Sequence, residues 1–316
     1  MGQIVGAALV SHHPGLMQCE DFRKMQGAGE DSTLIAGYAR LREKIAAARP
    51  DALVIFDSHW FTTGFHLVDG GKHYAGIYVS DEMPWYLHGV PYDYRGDPEL
   101  ALAMETASRE RGGYVRAERN PGLGKHYATV NLVKQLHLEI SEIPVVTVSS
   151  CQNCEWHHFL DSGTQISEAI RRSNRRVVLL ASGALSHKFN NIDWKPKHPR
   201  IFHESNVSRP ENAESDKGAI ALMQEGRHDR ILERWEGEYR SKPWEAFGAH
   251  YLQMVGAMGG TECRARGEPL SEYENARGTG NIHVWFDALP PPQAGAPAAD
   301  AVSAPASTSA ERGATA

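Results

Sequence analysis

Three histidines hold matching places in this chain. His12 follows the apolar run at residues 4–10 in "VSHHPGLM", His59 ends "DALVIFDSH", and His187 comes soon after "RVVLLAS" in "SGALSHKF". An imidazole titrates near neutral pH and ligates metals through either ring nitrogen, so it suits proton transfer and metal binding alike. A lone histidine at a strand end is ordinarily a hydrogen-bonded structural residue. Three in the same topological position carry more weight, because chance would scatter them over helices and loops. In an open α/β sheet the ligand crevice lies beyond the carboxyl ends of the strands, where imidazoles from distant parts of the sequence can converge.

The elements that must position them read as an α/β alternation. "QIVGAALV", "DALVIFD", "IPVVTVSS" and "RVVLLAS" are strands without a polar face, and "NIHVWFDA" closes the fold as a last strand. Between them lie helical patterns. "STLIAGYARLREKIAAA" stops at Pro50, and "GDPELALAMETASRERGG" starts from an Asp97 cap with Pro98 in the first turn. "SGTQISEAIRRS", "KGAIALMQEG", "HDRILERWEGEY" and "WEAFGAHYLQMVGAM" are helical as well. The expected fold is α/β, a mostly parallel central sheet flanked by helices. One catalytic domain is expected over residues 1–289. Residues 290–316, rich in Ala, Pro and Ser with Val302 as the sole bulky apolar residue, are expected to form a disordered tail.

Composition narrows the function. A net charge of −6 without a basic cluster speaks against nucleic acid and for a small-molecule partner. No run reaches the roughly 18 apolar residues a membrane span needs, and the N-terminus has no secretory pattern, so a cytoplasmic protein is expected. Four cysteines in 316 residues do not make a disulfide scaffold.

Five short motifs now carry a resemblance. "SHHP", "FDSHW", "GKHYATV", "SGALSHKF" and "GTGN" together resemble the class III extradiol ring-cleaving dioxygenases, the superfamily of the protocatechuate 4,5-dioxygenase catalytic subunit. The stretch from "DSHWF" to "DYRGDPEL" is closer to the homoprotocatechuate 2,3-dioxygenase branch. The resemblance implies Fe(II), with Mn(II) as an alternative, and O2 as co-substrate. It also implies a catecholic substrate bearing a carboxylate, a muconic-semialdehyde product and a homo-oligomer. The implied metal ligands are His12, by its H-x-P spacing, His59, and a late glutamate. His13 is the one-residue alternative to His12. Glu245 in "KPWEAFGAHYLQ" is the favoured glutamate, read as a first-turn helix residue bordering the stripe Trp244, Phe247, Tyr251, Val255 and Met258; Glu236 and Glu238 are its rivals. His187 is implied as the acid–base group and His126 as a second catalytic histidine. Tyr127, Trp60 and His13 are expected on the substrate side.

Two imidazoles and one carboxylate leave open positions on the metal, as oxygen chemistry requires. Zinc binds the same donors well, so iron follows from the resemblance and not from the ligand types. A metal-dependent hydrolase built on the same His/His/Glu set is the competing enzyme class, and a non-catalytic subunit of the same fold is the third reading. Cys151-x-x-Cys154 beside His157 and His158 raises a zinc or redox site, but no second cysteine pair accompanies it. His66, His73, His137, His198, His203, His228, His250 and His283 are expected to be structural.

Overall fold

Strands with no polar face need cover on both sides, and four such runs become the inner strands of one sheet. A computed structural model describes residues 1–287; the expected tail lies outside the described residues. In chain order the strands are β1 (Gln3–Val10), β2 (Ala52–Thr62), β3 (His66–Asp69), β4 (His73–Tyr78), β5 (Val90–Arg95) and β6 (Val115–Glu118). They continue with β7 (Val145–Cys151), β8 (Arg176–Ser182), β9 (Gly267–Pro269), β10 (Glu274–Ala276), β11 (Thr279–Asn281) and β12 (Val284–Asp287). The helices are α1 (Glu20–Gln26), α2 (Thr33–Ala48), α3 (Pro98–Glu110), α4 (Tyr127–Gln135), α5 (Trp156–Arg172), α6 (Pro210–Glu225), α7 (His228–Glu233) and α8 (Ala249–Ala257).

The main sheet runs β6-β3-β7-β2-β8-β1-β12-β9. Its centre, β7-β2-β8-β1, is parallel, so these four strands end along one edge. Both flanks include antiparallel pairings, of β12 with β1 and of β3 with β7. Alternation along each inner strand feeds two cores. Ala7, Leu9, Val54 and Phe56 face the side covered by α3, α5 and α8, whereas Ala8, Val10, Leu53 and Ile55 face α2 and α4.

Three local departures from the sequence expectation matter for the site. β2 runs past its apolar part to Thr62, and its register with β7 jumps between Phe56 and Phe61 while β7 advances only from Val148 to Ser150. The extra residues bulge at Asp57–Trp60, which re-aims a side chain at a strand end. Strands β4 and β5 pair as a separate hairpin arm whose connecting loop holds Glu82. Finally, the helix expected to begin around Glu245 starts only at Ala249, because Ala246, Phe247 and Gly248 are left-handed (φ 48°, 58° and 73°). Glu245 therefore precedes the helix, and Phe247 is exposed instead of joining the apolar stripe.

Candidate metal centre

His12 lies two residues past the end of β1. Its carbonyl accepts from Asn131 Nδ2 at 2.7 Å, which fixes the backbone. Ser182, the last residue of β8, donates its hydroxyl to Ala128 O at 3.2 Å and stands 2.8 Å from His12 Nδ1. A hydroxyl engaged as donor can only accept from the imidazole. Nδ1 thus carries the proton, and Nε2 keeps a lone pair for a ligand.

His59 is aimed by the β2 bulge. The buried Asp57 carboxylate accepts the backbone N–H groups of His59 and Trp60 at 2.7 and 2.9 Å and the Thr129 hydroxyl at 2.6 Å. His59 Nδ1 lies 3.3 Å from Glu82 Oε1 of the hairpin arm. Nε2 lies 2.7 Å from Glu245 Oε1 and 2.6 Å from the Tyr127 hydroxyl.

Glu245 is 5% exposed and doubly anchored. Its N–H donates to Leu185 O at 3.1 Å, and its Oε2 accepts from Ala184 N at 2.6 Å. Oε1 is left facing three imidazoles, with Nε2 of His59, His12 and His187 at 2.7, 3.4 and 3.6 Å. Burial alone would raise this carboxyl. The imidazoles around it, His12 and His187 and then His59, instead hold it well below the usual carboxylate range. Burial opposes a charge on His59 too, yet hydrogen bonds to Glu245 and Glu82 lift its pKa to about 10. His187 goes the other way, since burial, only partly offset by Glu245, lowers it.

One ligand atom each from His12, His59 and Glu245 lies within 4.8 Å of the others, and this is the sole group of three or more such donors among the described residues. Donors about 2.1 Å from a shared ion lie about 3.0 Å apart at right angles. A divalent ion therefore fits: the donors are in range, the carboxylate is ionised, and the free Nε2 of His12 points at it.

The remaining expected site residues fall differently. His187 is partly buried, with its N–H donating to Pro243 O at 2.9 Å and its ring beside Phe189. Tyr127 is buried against His59, ring centroids 4.1 Å apart. His126 sits at the N-terminus of α4, accepts backbone N–H groups there, and has Asp69 as its charged neighbour. Trp60 packs 5.9 Å from the Lys125 ammonium, and among the described residues no ring pairing joins it to the histidine cluster. His13 turns beside Phe202 with its Nε2 buried and unpartnered, and burial, with His12 next to it, lowers its pKa to about 3. Glu236 pairs with Arg240, and Glu238 accepts from Ser215.

Sequence reasoning missed Asp57 and Glu82. Asp57 stands two residues before His59, and that spacing is a usable signal for a carboxylate that clamps a turn. Glu82 has no such signal, because among the described residues the arm that delivers it pairs with nothing in the main sheet. Cys154 has its thiol pushed up to about 12, first by burial and then by Cys151, which disfavours thiolate chemistry there.

Comparison with known proteins places the chain in a family. Over 229 residues, 72% of this chain and 79% of the relative, the sequence is 28% identical to 3,4-dihydroxyphenylacetate 2,3-dioxygenase of Escherichia coli. It is 27% identical to the 2-aminophenol 1,6-dioxygenase beta subunit of a Pseudomonas species over 296 residues, covering 90% of this chain and 94% of that one. In fold it matches the crystal structure of an uncharacterized protein from Escherichia coli K12, with a TM-score of 0.61, 17% identity, and coverage of 89% of this chain and 99% of the other. The family described as the catalytic LigB subunit of aromatic ring-opening dioxygenase matches residues 6–287, and this chain belongs to that family, within the class III extradiol dioxygenases.

Proposed function

We propose that the chain opens the ring of an aromatic vicinal diol with dioxygen, using Fe(II) held by His12, His59 and Glu245. One observation supports this most: a buried, ionised carboxylate oxygen meets three imidazole Nε2 atoms beyond the carboxyl ends of the parallel strands. Bound there, a ferrous ion supplies a common coordination site for diol and dioxygen and acidifies the diol. His12, His59 and Glu245 would hold the ion with three protein donors, a set that would leave coordination positions for the reactants.

The chain's own residues supply the proton traffic. Burial lowers the pKa of His187, whose Nε2 lies 3.6 Å from Glu245 Oε1, so it is neutral near pH 7 and able to take a proton from a substrate hydroxyl. Having taken it, the same nitrogen returns it later in the reaction. Tyr127, with its hydroxyl beside His59 Nε2, borders the space where the diol would sit. His126, Trp60 and His13 belong to the wider wall.

The ring carboxylate expected from the resemblance would need a cationic partner. Among the described residues, no hydrogen bond or ion pair of His12, His59, His187, Glu82 or Glu245 involves Lys or Arg. The test must therefore span neutral as well as acidic diols, and o-aminophenol. Anaerobic loading with Fe(II) or Mn(II), then oxygen and this panel, should give the yellow ring-opened product with Fe(II). Oxygen uptake without ring opening would overturn the proposal, and an ester or amide hydrolysed without oxygen uptake would overturn it in favour of the hydrolase. Retention of the diol without turnover would point to the non-catalytic subunit. Self-association is also proposed, checked by sedimentation; Ile77, Val79 and Trp85 expose apolar surface on and beside the β4–β5 arm.

A further inference from the structure

Behind the segment that presents His187 lies a second carboxylate. Asp216 of α6 is fully buried, and among the described residues it has no cation within ion-pair range. It is satisfied by three donors instead. Ser186 N–H reaches Oδ1 at 3.0 Å, Ser186 Oγ reaches Oδ2 at 2.6 Å, and Tyr273 OH reaches Oδ2 at 2.6 Å. Carboxylate hydrogen bonds of this kind are among the stronger ones available to a neutral donor.

Ser186 directly precedes His187, and its segment is held from two further sides. Leu185 N donates to Gly280 O and Gly280 N to Ser186 O, at 2.9 and 3.0 Å. On the other side His187 N donates to Pro243 O and Glu245 N to Leu185 O, so residues 185–187 form a short ladder with the segment carrying Glu245. The "GTGN" motif now has a physical reason. A Cβ on Gly280 would collide with Asp216 Oδ2 and the Tyr273 hydroxyl, so a side chain there would expel the carboxylate from its place.

We propose that Asp216, with Tyr273, is a positioning residue for His187: it clamps the Ser186 backbone and so holds the imidazole in register with Glu245. This rests on the acid–base role proposed above for His187. Misplacing a reacting group by about 1 Å can cost on the order of 100-fold in rate, whereas metal binding depends on His12, His59 and Glu245, which Asp216 does not touch.

The test uses the full chain loaded with Fe(II). Asp216→Asn puts an amide donor where a carboxylate oxygen received two hydroxyls. It should lower kcat by about 10- to 100-fold while leaving KM and bound iron per chain within about twofold of the starting protein. Tyr273→Phe and Ser186→Ala each remove one donor and should cost less, about 3- to 10-fold in kcat. They keep the proposal testable if Asp216→Asn does not fold. A second readout needs no turnover: in the metal-free protein, the ring resonances of His187, identified by their loss in His187→Gln, should shift in Asp216→Asn and Tyr273→Phe. Unchanged kcat with unmoved His187 resonances would overturn the proposal. So would iron content falling in step with kcat, which would make Asp216 a support of the whole centre. If the starting protein opens no diol ring, the dioxygenase proposal fails, and the His187 resonances still decide the clamp.

Discussion

Two groups of buried histidines divide this molecule. His12 at the strand-end rim is as enclosed as His228 and His283 in the interior, so burial does not separate them. Their partners do. His12, His59 and His187 share one carboxylate oxygen of Glu245. His283 instead accepts from Ser11 N–H and donates to the Leu34 carbonyl, and His228 lies between the Tyr251 hydroxyl and the Ala265 carbonyl. Neutral partners leave an imidazole neutral, so burial drives the pKa of His283 down to about 3 and that of His66 to about 4. A carboxylate partner reverses this at His59. At His187, farther from the same oxygen, burial still outweighs the carboxylate.

Removing that charge gives the largest expected effect. Glu245→Gln keeps the shape of the side chain and should weaken metal affinity by more than about 100-fold, since even outer-shell losses cost about 10- to 100-fold. His59→Ala should do the same, by titration calorimetry or by metal content after dialysis. His187→Ala should retain the metal and lose about 100- to 10,000-fold in kcat. If His187→Ala lost the metal and His59→Ala kept it, both assignments at the rim would be exchanged.

The interior histidines should answer in stability. His228→Phe strands the Tyr251 hydroxyl and the Ala265 carbonyl and should cost about 1–3 kcal/mol in urea unfolding, with metal affinity unchanged. Their pH response has a definite sign. The folded pKa of His283, about 3, lies below the unfolded value of 6.5, so the unfolded chain binds the extra proton in between. Its contribution is complete above pH 6.5 and fades as pH falls toward 3, at up to about 1.4 kcal/mol per pH unit for each such group. His283→Gln should flatten the loss of stability between pH 6 and 4 by roughly that slope. An unchanged slope would place His283 with the charged group.

The division is partly legible in the chain. His12 and His187 follow apolar runs, and His66 and His283 begin or precede strands. But β3 and β12 run antiparallel to β7 and β1, so those two histidines return to the same edge and strand position alone does not set them apart. The inner strands are legible because residues such as Leu53, Val54 and Ile55 allow no exposed face. Helix α4 is not, because "YATVNLV" is buried nearly throughout and shows no polar stripe to set a period. The arm holding Glu82 is hidden for the opposite reason, its strands being mostly exposed. At Glu245 helix propensity misleads. Ala246 and Phe247 read as helix, and only the tertiary bonds of Glu245 to Ala184 and Leu185 pull the chain into a left-handed run.

That run offers the smallest and sharpest test of the contrast. Phe247 is 61% exposed and left-handed at φ 58°, a conformation costing a non-glycine residue roughly 1–2 kcal/mol. Phe247→Gly removes that cost and adds about 0.5–1 kcal/mol of backbone entropy lost on folding. The net change in unfolding free energy should therefore lie between about zero and a stabilisation of about 1.5 kcal/mol. Because Glu245 is anchored through its own N–H and Oε2, metal affinity should stay within about threefold. A clear loss of affinity with stability preserved would mean that the strained turn, and not those two hydrogen bonds, aims the carboxylate at the three imidazoles.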